Sequence, residues 1–550
     1  MKNPLVAFVI AALRLSSAAN AQEPSLVFAA VPGAAGIDLV MTSGEMPSRE
    51  ILEVNGGGIA LLDYDGDGDM DVFLANGATL DAPEQGPGSR LYSNRGDGTF
   101  EDVSRRVGLD LRRWAMGVAV GDYDGDGWDD LYVACHGANA LLRNTAGAAG
   151  GRRFVDMAQA AGVADAHWSS SAAFADLDAD GDLDLYVVNY LEFDARQPPA
   201  RAGNAFKGFQ VMAGPRGLAA QRDSLYENLG GGRFRDVTAR AGLPSEPGYG
   251  LGVRVLDYDG DRRPDIFVGN DSTADRLLRN LGELGFSDVA ETAGVAANGI
   301  GTTQATMGIG LVDADGNGSP DLFLTVFSDD TNTLHLNLGD GFFDDRSAQF
   351  GLAAVSRRYL GWGCGFFDFD LDGDEDLLIA NGHVYPKMAD PEVGGRWAQR
   401  PLLMARRGAR FEAVPCAAGW CAEALHGRAT AFGDIDRDGD VDALMTTLNG
   451  SVLALRNEAG SGRSLVVRLV AAGPNRHAFG SLVELATAGG IQRRWITGGG
   501  SYQSVDAAEA YFGLGLPVPE ETLTVRVSWA GGGLTELRGV PTDRRLVVPR

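Results

Sequence analysis

Residues 63 to 71, DYDGDGDMD, place oxygen-bearing side chains at every second position, and six later stretches repeat the pattern. The first loop carries Asp63, Asp65, Asp67, Asp69 and Asp71, and the second Asp122, Asp124, Asp126 and Asp130, with Trp128 at position 7. The third carries Asp176, Asp178, Asp180, Asp182 and Asp184; the fourth Asp257, Asp259, Asp261 and Asp265; the fifth Asp313, Asp315, Asn317 and Asp321. The last two carry Asp368, Asp370, Asp372, Asp374 and Asp376, and Asp434, Asp436, Asp438, Asp440 and Asp442. Side-chain oxygens at positions 1, 3, 5 and 9 with a backbone carbonyl at position 7 form a cage for a hard cation, and calcium suits it best. Two carboxylates about 4 Å apart repel by roughly 1 kcal/mol in water and roughly 4 at an effective dielectric of 20, so a folded loop without metal is disfavoured. An EF-hand would need a carboxylate at position 12, where Leu74, Val133, Val187, Val268, Leu324, Ile379 and Met445 stand instead. Up to seven calcium ions, mainly structural, are therefore expected. The fourth and fifth loops are the weakest, with Arg262 in place of the glycine and Asn317 in place of an aspartate.

The elements that hold these loops follow from their spacing. Loop starts lie 59, 54, 81, 56, 55 and 66 residues apart, the period of a repeat architecture. Small and apolar residues precede each loop and alternating apolar residues follow it, which predicts strand, loop, strand. A second phrase, as in LYSNRGDGTFEDVSRRVGL, predicts two more strands around a glycine-rich turn, with Phe and Gly eight residues apart from Phe100 and Gly108 to Phe411 and Gly419. The seventh repeat lacks this pair, but Phe28 and Gly36 at the start of the chain supply it. The fold class is accordingly all-β: a seven-bladed β-propeller closed by the N-terminal strand, over residues 22–462, with a small β-rich domain at 463–550. Small residues in MGVAVG, SSSAAFA, MGIGLV and GWGCGFF fit inner strands crowding an axis.

If the metal loops join first to second strands, ligand chemistry belongs on the opposite face. That face gathers Trp114, Trp168, Tyr249, Trp362, Asn270, Asp271, Asn381 and Tyr385, and two insertions near 190–222 and 384–400. His136, His167, His383 and His426, with Arg428, also fall there and are the candidate catalytic or metal-binding groups. The competing reading is that each histidine bonds a neighbouring turn. A binding role is preferred, toward a macromolecule, protein or glycan. An enzyme of lyase, isomerase or cyclase type acting on a carbohydrate or other small molecule is the alternative.

The chain begins with Lys2, a short apolar run and Ala19-Asn20-Ala21, which predicts a secretory leader cleaved after Ala21. A periplasmic, cell-surface or extracellular location follows. No stretch is long and apolar enough for a membrane helix, and a monomer is expected. A formal charge of −27 argues against nucleic acid. Cys416 and Cys421 are a candidate disulfide, while Cys135 and Cys364 read as small core residues.

The loops and the phrase LYENLGGGRFRDVT resemble FG-GAP or VCBS repeats, as in integrin α-subunit heads and many secreted bacterial proteins, over residues 25 to about 460. NRHAFGSLVEL, ITGGGSYQSV and AYFGLG resemble the ASPIC/UnbV domain, and with NGHVYP and KGFQVMAGPRGL the whole chain resembles bacterial relatives of cartilage acidic protein. The resemblance implies extracellular calcium binding and interaction, without implying a defined reaction. Ala205 and Ala213 stand where such relatives carry cysteines, so no disulfide is expected there.

Overall fold

The computed structural model describes residues 28–31, 35–147, 150–200, 204–390, 393, 395–416, 419–459, 464–515 and 523–550. The expected leader at 1–21 and the domain junction at 462 lie outside them. Each aspartate loop joins the first two strands of a four-stranded antiparallel sheet, and there are seven such sheets among the described residues of the repeat region. The first runs Ile59–Leu62, Asp71–Leu74, Arg90–Asn94 and Phe100–Asp102. In the last, Gly427–Gly433, Asp442–Thr447 and Leu453–Arg456 are joined by the N-terminal pair Ala29–Ala30, with Ala29 opposite Arg456. The innermost strands touch in chain order, and Gly427–Gly433 also touches Ile59–Leu62. The architecture is all-β and propeller-like. Its apolar core lies largely in layers between neighbouring sheets, such as Leu256, Phe267 and Leu277 of the fourth against Ile309, Leu322 and Leu324 of the fifth.

Two contacts between sheets explain why the repeated phrases recur. At the end of the third strand an asparagine donates its Nδ2 proton to a carbonyl in the loop of the preceding sheet: Asn228 to Tyr123 at 2.8 Å, Asn280 to Leu177 at 2.7 Å, Asn337 to Tyr258 at 2.7 Å and Asn457 to Phe369 at 3.0 Å. In the sixth sheet, Arg406 does the same to Ala314 at 2.7 Å. In four of the seven Phe…Gly pairs the glycine makes a contact that runs the other way. Gly36, Gly242, Gly294 and Gly351 have φ between 74° and 103°, and a Cβ there would lie 2.4–2.8 Å from the carbonyl oxygens of Phe100, Phe286, Phe343 and Phe411 of the next sheet. Only glycine accepts both the backbone and the approach.

The C-terminal part forms two sheets. Ser464–Val470 lies between Glu509–Gly513 and Arg544–Pro549, and Ser481–Thr487 pairs with Gly490–Ile496 and Thr524–Ser528. This module sits on the aspartate-loop side and sends residues 498–507 down between the inner strands. Val505 donates to Ile59 at 2.8 Å, Val118 to Gln503 at 3.2 Å and Ala507 to Phe432 at 3.0 Å. Arg254 donates to the Gly499 carbonyl at 2.8 Å and Cys364 N–H to Ser501 Oγ at 2.9 Å. The small residues of the inner strands make room for this segment: a Cβ on Gly58 would stand 1.9 Å from the Gln503 carbonyl oxygen.

Candidate metal loops and the open-face pocket

In each loop the turn is set by backbone conformation before any ligand is considered. Position 6 takes a left-handed φ in Gly68, Gly127, Gly181, Gly318, Gly373 and Gly439, and Arg262 adopts it too, at 68°, a conformation that costs a side-chain-bearing residue about 1 kcal/mol or more. The aspartate at position 9 is anchored by the sheet. Asp71 accepts the N–H groups of Tyr64 at 3.0 Å and Asn94 at 2.9 Å, and Asp184 those of Leu177 at 3.1 Å and Asn228 at 2.9 Å. In the first, second, fourth and fifth loops carboxylates at positions 1 and 3 converge on it, and in the third Asp176, Asp178 and Asp180 converge on one another. Asp63, Asp65 and Asp71 each present an oxygen within 4.8 Å of the others, and seven such groups occur among the described residues.

Burial first, and neighbouring carboxylates after it, push these acids upward: Asp71 to about 9, and Asp184, Asp265 and Asp321 to about 8. Six loops bury a carboxylate oxygen that has no hydrogen-bond partner, for example on Asp65, Asp130, Asp176, Asp313, Asp370 and Asp434. An orphaned buried carboxylate oxygen is costly unless something positive meets it, and an all-oxygen set of this shape fits calcium. The fourth loop has no such atom. There Arg279 meets Asp259 at 2.7 Å and Arg263 closes on Asp261.

The four histidines share a side of the molecule but not a centre. His136 donates Nε2–H to the Phe193 carbonyl at 2.8 Å. His383 is buried with both ring nitrogens used, on Ser328 Oγ at 2.9 Å and Tyr385 N–H at 3.0 Å, and burial pushes it down to about 3. His426 packs on Trp397 with ring centroids 4.6 Å apart, and burial takes it to about 4. His167 alone is half exposed, its Nδ1 2.5 Å from Asp165. Burial raises Asp165, but hydrogen bonds from Ser224, His167 and Asn189 outweigh it and hold the acid below its usual range. Arg428 is fully buried: it lies 4.2 Å over the Trp362 ring, donates to Val54, Gly382 and Gly427, and is pushed down to about 9 by burial.

The expected aromatic face is corrected in part. Trp114, Trp168, Asn270 and Asn381 are buried and serve packing or strand-end hydrogen bonds, because the throat must be filled around the inserted C-terminal segment. Tyr385, Asp271 and Trp362 do line a cavity of about 750 Å³ on the face away from the aspartate loops, while Tyr249 stands beside it, its hydroxyl donating to Leu218. The cavity walls add Phe206, Met212 and Phe327, which sequence reading did not single out. Phe206 comes from a hairpin, Ala205–Phe206 with Phe209–Gln210, inside the third-sheet insertion, and packs tilted against Tyr385 with ring centroids 5.3 Å apart. Asp271 accepts the Tyr190 hydroxyl at 2.6 Å and the Ser272 hydroxyl at 2.9 Å. The latch asparagines were also missed, although their recurrence before each glycine turn was a usable signal; Tyr502 and the arginines of the C-terminal module gave none. Cys416 and Cys421 are disulfide-bonded, and Cys135 and Cys364 are buried and free.

Among the described residues no helix is long and apolar enough to cross a membrane. Residues 63–133, 122–187, 213–268, 257–324 and 313–379 match the profile of the FG-GAP-like repeat, and residues 471–550 match that of ASPIC and UnbV. Cartilage acidic protein 1 of Homo sapiens is 25% identical over 497 residues, covering 86% of this chain and 69% of that protein. The Mus musculus protein is 26% identical over 394 residues, covering 61% of this chain and 58% of its own length. Of solved structures, YCF48 bound to D1 peptide aligns with 80% of this chain and 99% of its own at 9% identity and a TM-score of 0.40. An Agrocybe aegerita lectin described as recognising non-reducing terminal N-acetylglucosamine aligns with 73% of this chain and 95% of its own at 15% identity and a TM-score of 0.39.

Proposed function

The chain belongs to the FG-GAP-like repeat family, with an ASPIC and UnbV region at its C-terminal end, and from that premise we propose that it is an exported, calcium-stabilised binding protein. In this reading residues 22–462 form a closed seven-bladed propeller completed by the N-terminal strand, and 463–550 a docked second domain. Calcium held by the acidic loops locks the sheets. The partner, an extracellular or envelope protein or glycan, binds the opposite face. The observation that carries the reading is the division of labour between faces. Buried unpartnered carboxylate oxygens cluster under the C-terminal module, while a cavity of about 750 Å³ lined by Phe206, Tyr385 and Asp271 lies open on the other side. An aromatic and polar cavity of this size suits part of a glycan or a protruding side chain. The test is binding of purified chain to glycan arrays and envelope fractions in calcium, with Phe206→Ala/Tyr385→Ala as control. No binding by the wild type, or equal binding by the variant, contradicts it.

A second reading rests on Asp165 and His167. A buried carboxylate that accepts Nδ1–H leaves the Nε2 lone pair facing outward, the arrangement of a general base, and His167 opens on a surface groove lined by Arg222, Asp223 and Arg240. It supports an enzyme acting on a carbohydrate or other small molecule. Activity unchanged in His167→Ala would remove it.

A further inference from the structure

We infer that the open-face pocket, lined by the repeat region alone, is supported from beneath by the C-terminal part of the chain, and that calcium in the loops on the far side supports its floor through that module. The inference rests on the open-face reading above and adds its regulation. Beneath the floor, Tyr502 of the inserted segment is fully buried, packs on Trp362 with ring centroids 4.8 Å apart, and donates its hydroxyl to Asn55 at 3.2 Å. Trp362 and Asn55 both line the cavity. The segment that delivers Tyr502 is hydrogen-bonded to inner strands of the first, second, fourth, sixth and seventh sheets, through Ile59, Val118, Arg254, Cys364 and Phe432.

At the other end, the same module grips the metal loops by their first aspartate. Arg493 meets Asp313 Oδ2 at 2.9 Å, Arg545 meets Asp434 Oδ2 at 3.5 Å and Arg468 meets Asp63 Oδ2 at 3.5 Å. On Asp313 and Asp434 the other oxygen, Oδ1, is the buried atom without a partner. One carboxylate therefore offers its outer oxygen to an arginine and its inner oxygen to a cation. The arginine fixes the carboxylate plane that the cation needs, and the cation fixes the plane that the arginine needs, as outer-shell partners of metal ligands do. Mutual support of this kind is a coupling free energy, so it acts in both directions: calcium holds the module down, and the docked module tightens calcium in the first, fifth and seventh loops.

The experiment is hydrogen exchange on the full chain, comparing wild type with Arg493→Ala/Arg545→Ala in saturating calcium, together with calcium titration of both. The reporter amides are Val505 and Ala507, bonded to Ile59 and Phe432, and the reference is Phe267 within the fourth sheet. The expected result is exchange at least about tenfold faster at the reporters with the reference within about twofold, and two calcium sites weakened about tenfold. Reporters as protected as in wild type, or calcium affinity unchanged, would overturn the coupling. Should the double variant not fold, Arg493→Ala alone carries the same test, with weakening confined to one site. No ligand enters the readout, so a chain that binds nothing at the open face could still pass, and a ligand bound equally by wild type and a variant with a loosened segment would sink the coupling alone.

Discussion

Asn228 donates its Nδ2 proton to the carbonyl of Tyr123, 105 residues earlier and one sheet away, at 2.8 Å, and to the Leu183 carbonyl at 3.0 Å. Its own N–H is accepted by Asp184, the last aspartate of its sheet's acidic loop. One side chain thus ties a loop, its sheet and the neighbouring loop together. Asn228→Ala leaves two buried carbonyls unmet, and about 2–3 kcal/mol of stability is lost, read as a lower urea midpoint in calcium. A change below about 0.5 kcal/mol would show that the latch is redundant.

Acid sensitivity follows from His335. It is buried in the fifth sheet, neither ring nitrogen has a hydrogen-bond partner, and burial pushes it from 6.5 down to about 4. The unfolded chain takes up a proton near pH 6.5 that the folded chain refuses until about pH 4. Its contribution is therefore fully present above pH 6.5 and is lost as pH falls toward 4, by about 3 kcal/mol. His335→Leu should flatten that part of the stability profile. Parallel wild-type and variant curves between pH 7 and 4.5 would refute this.

Much of the fold is legible in the residues because its causes are local. Alternation, loop chemistry and the Phe…Gly separation report strands and turns directly, and Phe28 with Gly36 carries the pairing of the first strand with the last sheet. The site is less legible because its causes are distant. His383 looks available in sequence, but Ser328, from another sheet 55 residues away, occupies its Nε2. Trp114 sits at a strand entrance, yet it is buried against the throat. Tyr502 lies in a glycine-rich loop with no periodicity, and its partner Asn55 is 447 residues away. Phe206 was hidden inside an insertion whose hairpin only the structure displays.

Binding at the open face should depend on the rings that line it. Phe206→Ala/Tyr385→Ala should weaken the partner at least about tenfold, as loss of aromatic anchors does, with the thermal midpoint held within a few degrees. Both side chains belong to the cavity wall and not to the layers between sheets. An equally weakened fold would assign them to packing.

Calcium removal should lower stability far more than any single substitution. A site a hundredfold below the free calcium concentration contributes about 2.7 kcal/mol, and several sites act on one ring of sheets. Differential scanning calorimetry in calcium and in excess chelator should show the midpoint falling by many degrees, and equal midpoints would refute a structural role for the ion.

The most direct test of the account is the metal content of the purified protein, by elemental analysis after exhaustive dialysis against metal-free buffer. Six loops bury an unpartnered carboxylate oxygen while the fourth, where Arg279 and Arg263 pair with Asp259 and Asp261, buries none, so the account predicts about six tightly held calcium ions per chain, a seventh only at high calcium, and no transition metal. His167→Ala/His383→Ala should leave these numbers unchanged. A chain that retains less than one calcium ion, or a transition metal lost in that double variant, would contradict it.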